Sequence, residues 1–188
     1  KKPIGAVCRE QGLNFLDITS AIEASRGTVD SHTHDWLQEP LGNLTSHIVT
    51  TYHQPLREEL PRLQAMAAKV ARVHGGKAPY LARLDAIVAE LSADLMTHMQ
   101  KEEMILFPAI DARAHGAAGR PFPIAMPIAV MEKEHDHAGS LLEELRAITG
   151  GYQVPDWGCA TLRAFYQGLA ELEAAMHVHV HLENNVLF

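Results

Sequence analysis

Residues 98–107 read HMQKEEMILF, and residues 179–188 read HVHLENNVLF. Both stretches begin with a histidine, carry a glutamate four residues later and end in Leu-Phe, and each position of the second lies 81 residues after its counterpart. A spacing of four residues puts the histidine and the glutamate on one face of an α-helix. The repeat therefore predicts two helices that carry the same pair of polar side chains.

The repeat extends backwards along an apolar stripe in both segments. Its members recur at alternating steps of three and four residues, the pattern of a helix packed in a bundle. They are Leu81, Leu84, Val88, Leu91, Leu95, His98, Glu102 and Ile105 in the first copy, and Leu162, Phe165, Leu169, Leu172, Met176, His179, Glu183 and Val186 in the second. We expect both stripes to face one core, with each His-Glu pair at the same depth.

Two further segments carry a single histidine on a stripe of the same kind. The stripes comprise Val49, His53, Leu56, Leu60, Leu63, Ala67 and Val70 in one segment, and Ile128, Met131, His135, Ala138, Leu142 and Leu145 in the other. Glycine- and proline-containing breaks separate four helical segments at about 41–74, 80–115, 125–149 and 156–188. The sequence predicts an all-α, up-down-up-down four-helix bundle over residues 41–188, preceded by short helices and a linker over residues 1–40.

The bundle topology brings the histidines of the four stripes to one level. His53 and His135 lie early in their helices, whereas His98 and His179 lie late in theirs. Helices that alternate in direction place those four positions at the same end of the bundle. Four imidazoles and two carboxylates are therefore expected to meet there. His74 follows His53 by 21 residues, about 31 Å along a helix, and is too distant to join them.

Titratable side chains on core stripes are costly unless they are paired or bound to a metal. Imidazole and carboxylate suit iron, manganese or zinc, and four His with two Glu are too many for one tetrahedral zinc. The set fits two metal ions, each with two imidazoles and with both carboxylates bridging; one oxo or hydroxo bridge would complete five ligands each. Ordinary core histidines and helix-end charges are the alternative. Asp94 and Glu134 are candidates to orient a ligand or to pass protons, and plain surface charges are the alternative for each.

Composition narrows the classes of protein further. The chain has 188 residues and a formal net charge of −7, which argues against nucleic acid as the main partner. It contains no apolar run of about 18 residues, so no membrane span is predicted, and no signal peptide is recognised. Two cysteines form no disulfide framework and suit a reducing cytoplasm. Twelve histidines against 16 Lys plus Arg indicate metal, proton-transfer or pH-sensing chemistry.

Four short motifs resemble a known family, the hemerythrin-like di-iron proteins for repair of iron–sulfur centres, which includes nitric-oxide-responsive proteins of denitrifying bacteria. They are the stretches around His53 (YHQPLREELP), Glu102 (HMQKEEMILFP), His135 (EHDHAG) and Glu183 (HVHLENNVLF). The resemblance implies a pair of iron ions with His53, His98, His135 and His179 as terminal ligands and Glu102 and Glu183 as bridges. It also implies a bacterial cytoplasmic role under nitrosative or oxidative stress.

The resemblance leaves several functions open. One is a protein that binds, and as an enzyme reduces, nitric oxide and supports repair of damaged iron–sulfur proteins. Another is a non-catalytic nitric oxide or oxygen buffer or sensor, and a third is iron donation to apo-proteins. The expected partners are nitric oxide or oxygen as a small ligand and damaged iron–sulfur proteins. Neither nucleic acid nor a membrane is expected as a partner, and the expected oligomeric state is a monomer or a homodimer. Family members commonly carry an adjacent Cys-Cys pair near the N-terminus, where this sequence has only Cys8.

Overall fold

A computed structural model describes residues 35–116 and 123–188, together with Cys8, Gln11 and Asn14. The chain divides into two compact units, Lys1–Gln38 and Glu39–Phe188. The helices predicted for residues 1–40 fall mostly outside the described residues, which there include helical Cys8 and Gln11 and the short 3-10 turn Trp36–Gln38. In the described ranges the second unit is helical and contains no strand.

The described part of the second unit contains six α-helices: α1 (Leu41–Ile48), α2 (Gln54–His74), α3 (Tyr80–Lys101), α4 (Phe107–Ala114), α5 (Ala125–Ile148) and α6 (Ala160–Leu182). Three π-helical turns, Val49–His53, Glu102–Leu106 and Glu183–Leu187, join α1 to α2, join α3 to α4 and extend α6. The chain therefore forms four long rods at 41–74, 80–114, 125–148 and 160–187. The predicted four-helix bundle is confirmed.

The rods pack around one apolar core. Helix α2 lies against α3 and α6, and α3 also lies against α5. The core consists mainly of leucines from the four predicted stripes, such as Leu63, Leu84 and Leu169, none of them accessible to solvent. On α6, a Cβ at Gly168 would lie 2.7 Å from Leu63 Cδ2, so glycine permits the close approach of α2 and α6. No helix in the described ranges has the length and apolarity needed to cross a membrane.

Near the π-turns, the buried position lies one residue away from the position that the stripes predict. Ile105, expected in the core, is 51% exposed, whereas Leu106 is 1% exposed. In the same way Val49 is half-buried and the preceding Ile48 is fully buried. A π-turn closes its hydrogen bond over five residues instead of four, and this wider turn delays the next core-facing position.

Proline gives a physical reason for two of these turns. Pro55 and Pro108 each stand two residues after a π-turn ends. A proline lacks the N–H group and its ring collides with the carbonyl four residues earlier in an α-helix. That carbonyl belongs to a residue of the π-turn in both cases, and the wider turn relieves the collision. The wider turns at 49–53 and 102–106 thus accommodate the prolines that follow them, whereas Pro61 lies within α2 without such a turn.

Candidate metal centre

The structure brings the six predicted side chains to one end of the bundle. Each is at most 5% exposed: His53, His98, Glu102, His135, His179 and Glu183. The π-turns supply three of them, since His53 ends the first turn and the two glutamates begin the second and third. Widened helical turns of this kind occur frequently at functional sites.

One quartet of possible ligands consists of His53, His179, Glu102 and Glu183. The Nε2 atoms of the two histidines are 3.1 Å apart. His53 Nε2 lies 3.5 Å from Glu102 Oε2 and 3.8 Å from Glu183 Oε1. His179 Nε2 lies 2.9 Å from the same Oε1 atom of Glu183. We call this set the first quartet.

The second quartet consists of His98, His135 and the same two glutamates. The two Nε2 atoms are 2.9 Å apart. His98 Nε2 lies 3.4 Å from Glu102 Oε1, and His135 Nε2 lies 3.1 Å from Glu183 Oε2. Each carboxylate therefore directs one oxygen to each quartet, which is the arrangement that a carboxylate bridging two cations requires.

The polar atoms inside this cluster lack ordinary partners. Among the described residues, Glu102 has no hydrogen-bond donor at either oxygen, and Glu183 has none at Oε2. Buried carboxylate oxygens are almost always satisfied, because an unpaired one costs about 1–3 kcal/mol or more. Cations between the quartets would satisfy all of these atoms, so the residues present fit a pair of metal ions.

The outer nitrogens of three imidazoles fix the direction of the inner ones. His53 Nδ1 lies 2.7 Å from Glu103 Oε1, His98 Nδ1 lies 2.9 Å from Glu134 Oε2, and His135 Nδ1 lies 2.9 Å from Asn184 Oδ1. An imidazole that donates its Nδ1–H keeps a lone pair on Nε2. The Nε2 atoms of the second quartet thus direct two lone pairs at each other, which is favourable only when a proton or a metal cation lies between them.

Surrounding charges hold those outer acceptors in place. Arg57 donates to Glu103 at 2.8 Å, and Lys101 donates to Glu134 at 2.5 Å. Burial raises the pKa of both carboxyl groups, but these cations and the neighbouring imidazoles outweigh it and lower the pKa of Glu103 and of Glu134. Both stay ionised acceptors for an Nδ1–H group, which makes the ligating nitrogen more basic.

The buried carboxylates also act on the protonation of the metal-free imidazoles. Burial lowers the pKa of His98, but Glu102, Glu134 and Glu183 raise it by more, to about 9. Burial raises the pKa of Glu183, but the neighbouring imidazoles of His135, His179 and His53 outweigh it and lower this pKa well below its ordinary range. Without metal the cluster therefore holds protons that a cation must displace.

Aromatic rings cover the outer faces of three imidazoles. Tyr52 stacks on His179 with ring centres 5.1 Å apart and planes 4° from parallel. Phe107 lies against His53 at 5.8 Å, and Phe188 lies against His135 at 6.3 Å. These rings limit the access of water and keep the local dielectric low.

Two cavities reach the cluster from outside. One of about 430 Å³ is lined mostly by residues with charged or polar groups, among them His98, Glu134 and His135, with exposed Asp94 and His137. The other, of about 170 Å³, lies between α2 and α6, has a mainly apolar lining and ends at Tyr52 and His179. A small ligand thus has a polar and an apolar approach to the two quartets.

The two proposed orienting residues have different surroundings. Glu134 contacts His98, as described, whereas the Asp94 carboxylate lies 3.4 Å from exposed His137. His74 lies apart from the cluster at the end of α2, with Nε2 3.2 Å from Cys159 Sγ. Hydrogen bonds from the backbone N–H of Leu162 and from His74 lower the pKa of that thiol to about 7.

Glu103, Asn184 and Tyr52 belong to the site but were not predicted from the sequence. The internal repeat contains a signal for the first two, since Glu103 and Asn184 are 81 residues apart and each directly follows a bridging candidate. Similarly, Tyr52 and Glu134 directly precede the single histidines of their segments. Glu103 and Asn184 therefore follow the 81-residue repeat of the two His-Glu pairs, whereas Tyr52 and Glu134, which are 82 residues apart, correspond through the histidine that follows each of them.

Comparison with known proteins agrees with this architecture. The chain matches the hemerythrin HHE cation binding domain family over residues 44–188. It is 45% identical over 179 residues to the iron-sulfur cluster repair protein YtfE of Yersinia pseudotuberculosis serotype IB (strain PB1/+), covering 92% of this chain and 76% of that protein. It is 42% identical over 180 residues to the protein of the same name from Edwardsiella ictaluri (strain 93-146), covering 94% and 76%.

Proposed function

Because this chain belongs to the hemerythrin HHE cation binding domain family, we propose that it is a non-haem di-iron protein that supports repair of damaged iron–sulfur clusters under nitrosative or oxidative stress. The observation that carries the proposal is the division of each buried carboxylate between two pairs of imidazoles. The repair role rests on the similarity to the two relatives that bear that name.

In this proposal each quartet holds one iron ion. His53 and His179 are terminal ligands of the first, and His98 and His135 of the second. Glu102 and Glu183 bridge the two, together with an oxo or hydroxo group. Nitrogen and oxygen donors without thiolate suit iron of this kind, which would supply redox chemistry and an open position for a diatomic ligand.

The protein's own residues prepare these ligands. Glu103, Glu134 and Asn184 accept the Nδ1–H of three imidazoles and so direct the Nε2 lone pairs inward. The bridging carboxylates carry negative charge that offsets the charge of two cations in a buried site. Tyr52, Phe107 and Phe188 cover the imidazoles and exclude water from the interior.

Anaerobic purification followed by metal analysis tests the centre directly. We expect two iron ions per chain, and loss of the pair in His179→Leu. His177→Leu is the matched control, because His177 lies two residues away on the same helix and is exposed. One ion or none in the unaltered protein would contradict the di-iron assignment. Restoration of an apo iron–sulfur acceptor by the loaded protein, absent with His179→Leu, tests repair.

The apolar cavity favours a second candidate function, the binding of nitric oxide or oxygen as a small ligand. Diatomic gases are poorly hydrated and enter apolar cavities readily, and this one ends against His179. Stoichiometric nitric oxide added to the reduced protein should change its optical spectrum. Turnover would convert two nitric oxide molecules, two electrons and two protons into nitrous oxide and water. Nitrous oxide is then measured with many equivalents of nitric oxide and with dithionite as the reductant. Its continued formation indicates reduction, and its absence indicates binding alone.

A further inference from the structure

The outer nitrogens of the four imidazoles are not treated alike. Those of His53, His98 and His135 have an oxygen acceptor within 2.9 Å. The outer nitrogen of His179 has none among the described residues, although this side chain is only 1% exposed. The first quartet therefore contains one supported imidazole, and the second contains two.

The internal repeat shows which residue stands in the missing acceptor's place. Glu103 and Asn184 occupy equivalent positions and support His53 and His135. Glu134 directly precedes His135 and supports His98 on the neighbouring helix. Its equivalent in the other half is Tyr52, which directly precedes His53 and faces His179. Tyr52 contacts His179 through a parallel ring stack and not through an acceptor at Nδ1.

This difference bears on metal affinity. When Nε2 of His179 binds a cation, the proton of the neutral ring must be on Nδ1, where it has no acceptor. Loss of such an outer partner lowers metal affinity about 10- to 100-fold in comparable sites. Since Glu102 and Glu183 each direct one oxygen to both quartets, they do not offset the lower metal affinity expected of the first quartet.

We propose that the two metal positions are unequal: the first quartet binds its ion more weakly than the second and releases it first, and Tyr52 is the positioning residue that orients His179 by stacking. The inference rests on the proposed di-metal function and extends it by identifying the ion available for transfer. The strongly held ion of the second quartet then keeps both bridging carboxylates in place while the first position empties.

Anaerobic removal of Fe²⁺ by a chelator, followed as ions lost per chain, tests the inequality. We expect two phases of one ion each, with affinities that differ about 10- to 100-fold. Tyr52→Glu supplies the acceptor that Glu134 provides in the other half, and should strengthen the weaker step. Asn184→Ala removes the acceptor of His135 and should weaken the stronger step. Both variants thus reduce the difference between the two affinities, one by strengthening the weaker site and the other by weakening the stronger site.

Conservative substitutions separate the role of the ring from that of the hydroxyl group. Tyr52→Phe should keep both steps unchanged, because the stack remains, whereas Tyr52→Ala should weaken the first quartet further. Two equal steps in the unaltered protein, or a stronger second-quartet step in Tyr52→Glu, would overturn the inference. Circular dichroism shows whether Tyr52→Glu folds. If it does not, an unchanged difference between the two iron affinities in Asn184→Ala also overturns the inference. Fewer than two ions bound at the outset would refute the proposed function itself.

Discussion

Replacing the buried carboxylate of Glu102 by an apolar side chain should affect both the metal-free fold and metal binding. Glu102 is 0% exposed, and its nearest charge partners without metal are His98 and His53, at 3.4 and 3.5 Å. His98, whose pKa is raised to about 9, keeps its position in the variant but loses this carboxylate. Removing one member of a buried charge pair costs about 3–5 kcal/mol, because the remaining charge is left without its partner. We therefore expect metal-free Glu102→Leu to be less stable than the metal-free parent.

The size of the effect can be stated as a melting temperature. A loss of about 3 kcal/mol lowers the midpoint of a domain of this length by about 6–12 °C. Added metal should widen the difference, since an ion at about 100 times its dissociation constant adds about 2.7 kcal/mol to the stability of the parent. Glu102→Leu has lost the bridge and should gain little from added metal. Exposed Glu143 is the matched control, because Glu143→Leu should change stability by about 0.5 kcal/mol or less.

Thermal unfolding with and without Fe²⁺, together with metal analysis, measures both effects. A metal-free variant that melts at or above the midpoint of the parent would contradict the pairing of Glu102 with the buried imidazoles. Two ions per chain in Glu102→Leu would refute the bridging role. A lower midpoint without metal and no increase with metal would support the pairing and the bridging role together.

Three further outcomes are expected. The pKa of His98 is raised to about 9, so its proton stabilises the metal-free fold fully below about pH 6.5, and this stabilisation is lost as the pH rises through 9. Since Co²⁺ must displace that proton, the affinity for Co²⁺ should increase from pH 7 to 9. An affinity that does not change over this range would contradict the prediction. Alkylation of Cys159, followed by peptide mass spectrometry, should have its midpoint near pH 7, and His74→Leu should move it upward. Gly168→Ala should lower the stability by about 1–3 kcal/mol through overpacking, whereas Gly139→Ala, with open space at its Cβ, should raise it by about 0.4–1 kcal/mol in the same thermal assay.

The bundle could be predicted from the sequence because its periodicity is long and regular. The stripe from Leu81 to Glu102 is buried at every predicted position. The prediction that the histidines of the four stripes lie at the same level along the bundle depended only on the alternating directions of the helices. The prediction was wrong at Ile105 and Val49, because a stripe counted in steps of three and four assumes an α-helix throughout, and the π-turns are not α-helical.

The outer contacts of the imidazoles were harder to predict. Glu103 and Asn184 differ in chemistry, and only their equal spacing from Glu102 and Glu183 marks them as a pair. Tyr52 and Glu134 are still less alike, one acting through its ring and the other through a carboxylate. Periodicity locates a side chain on a helix face, but it does not reveal which neighbour on another helix the side chain touches.

The π-turns also bear on how such a chain can change length. One residue inserted into an α-helix turns everything beyond it by about 100°, which would remove the rest of the rod from the core. A π-turn absorbs the additional residue locally, so that Leu56 and Leu60 beyond the first turn are still buried. Each of the three turns therefore holds one additional residue within a helix without displacing the core positions beyond it. In an alignment of relatives, a one-residue gap near positions 49–53, 102–106 or 183–187 is compatible with an unchanged core.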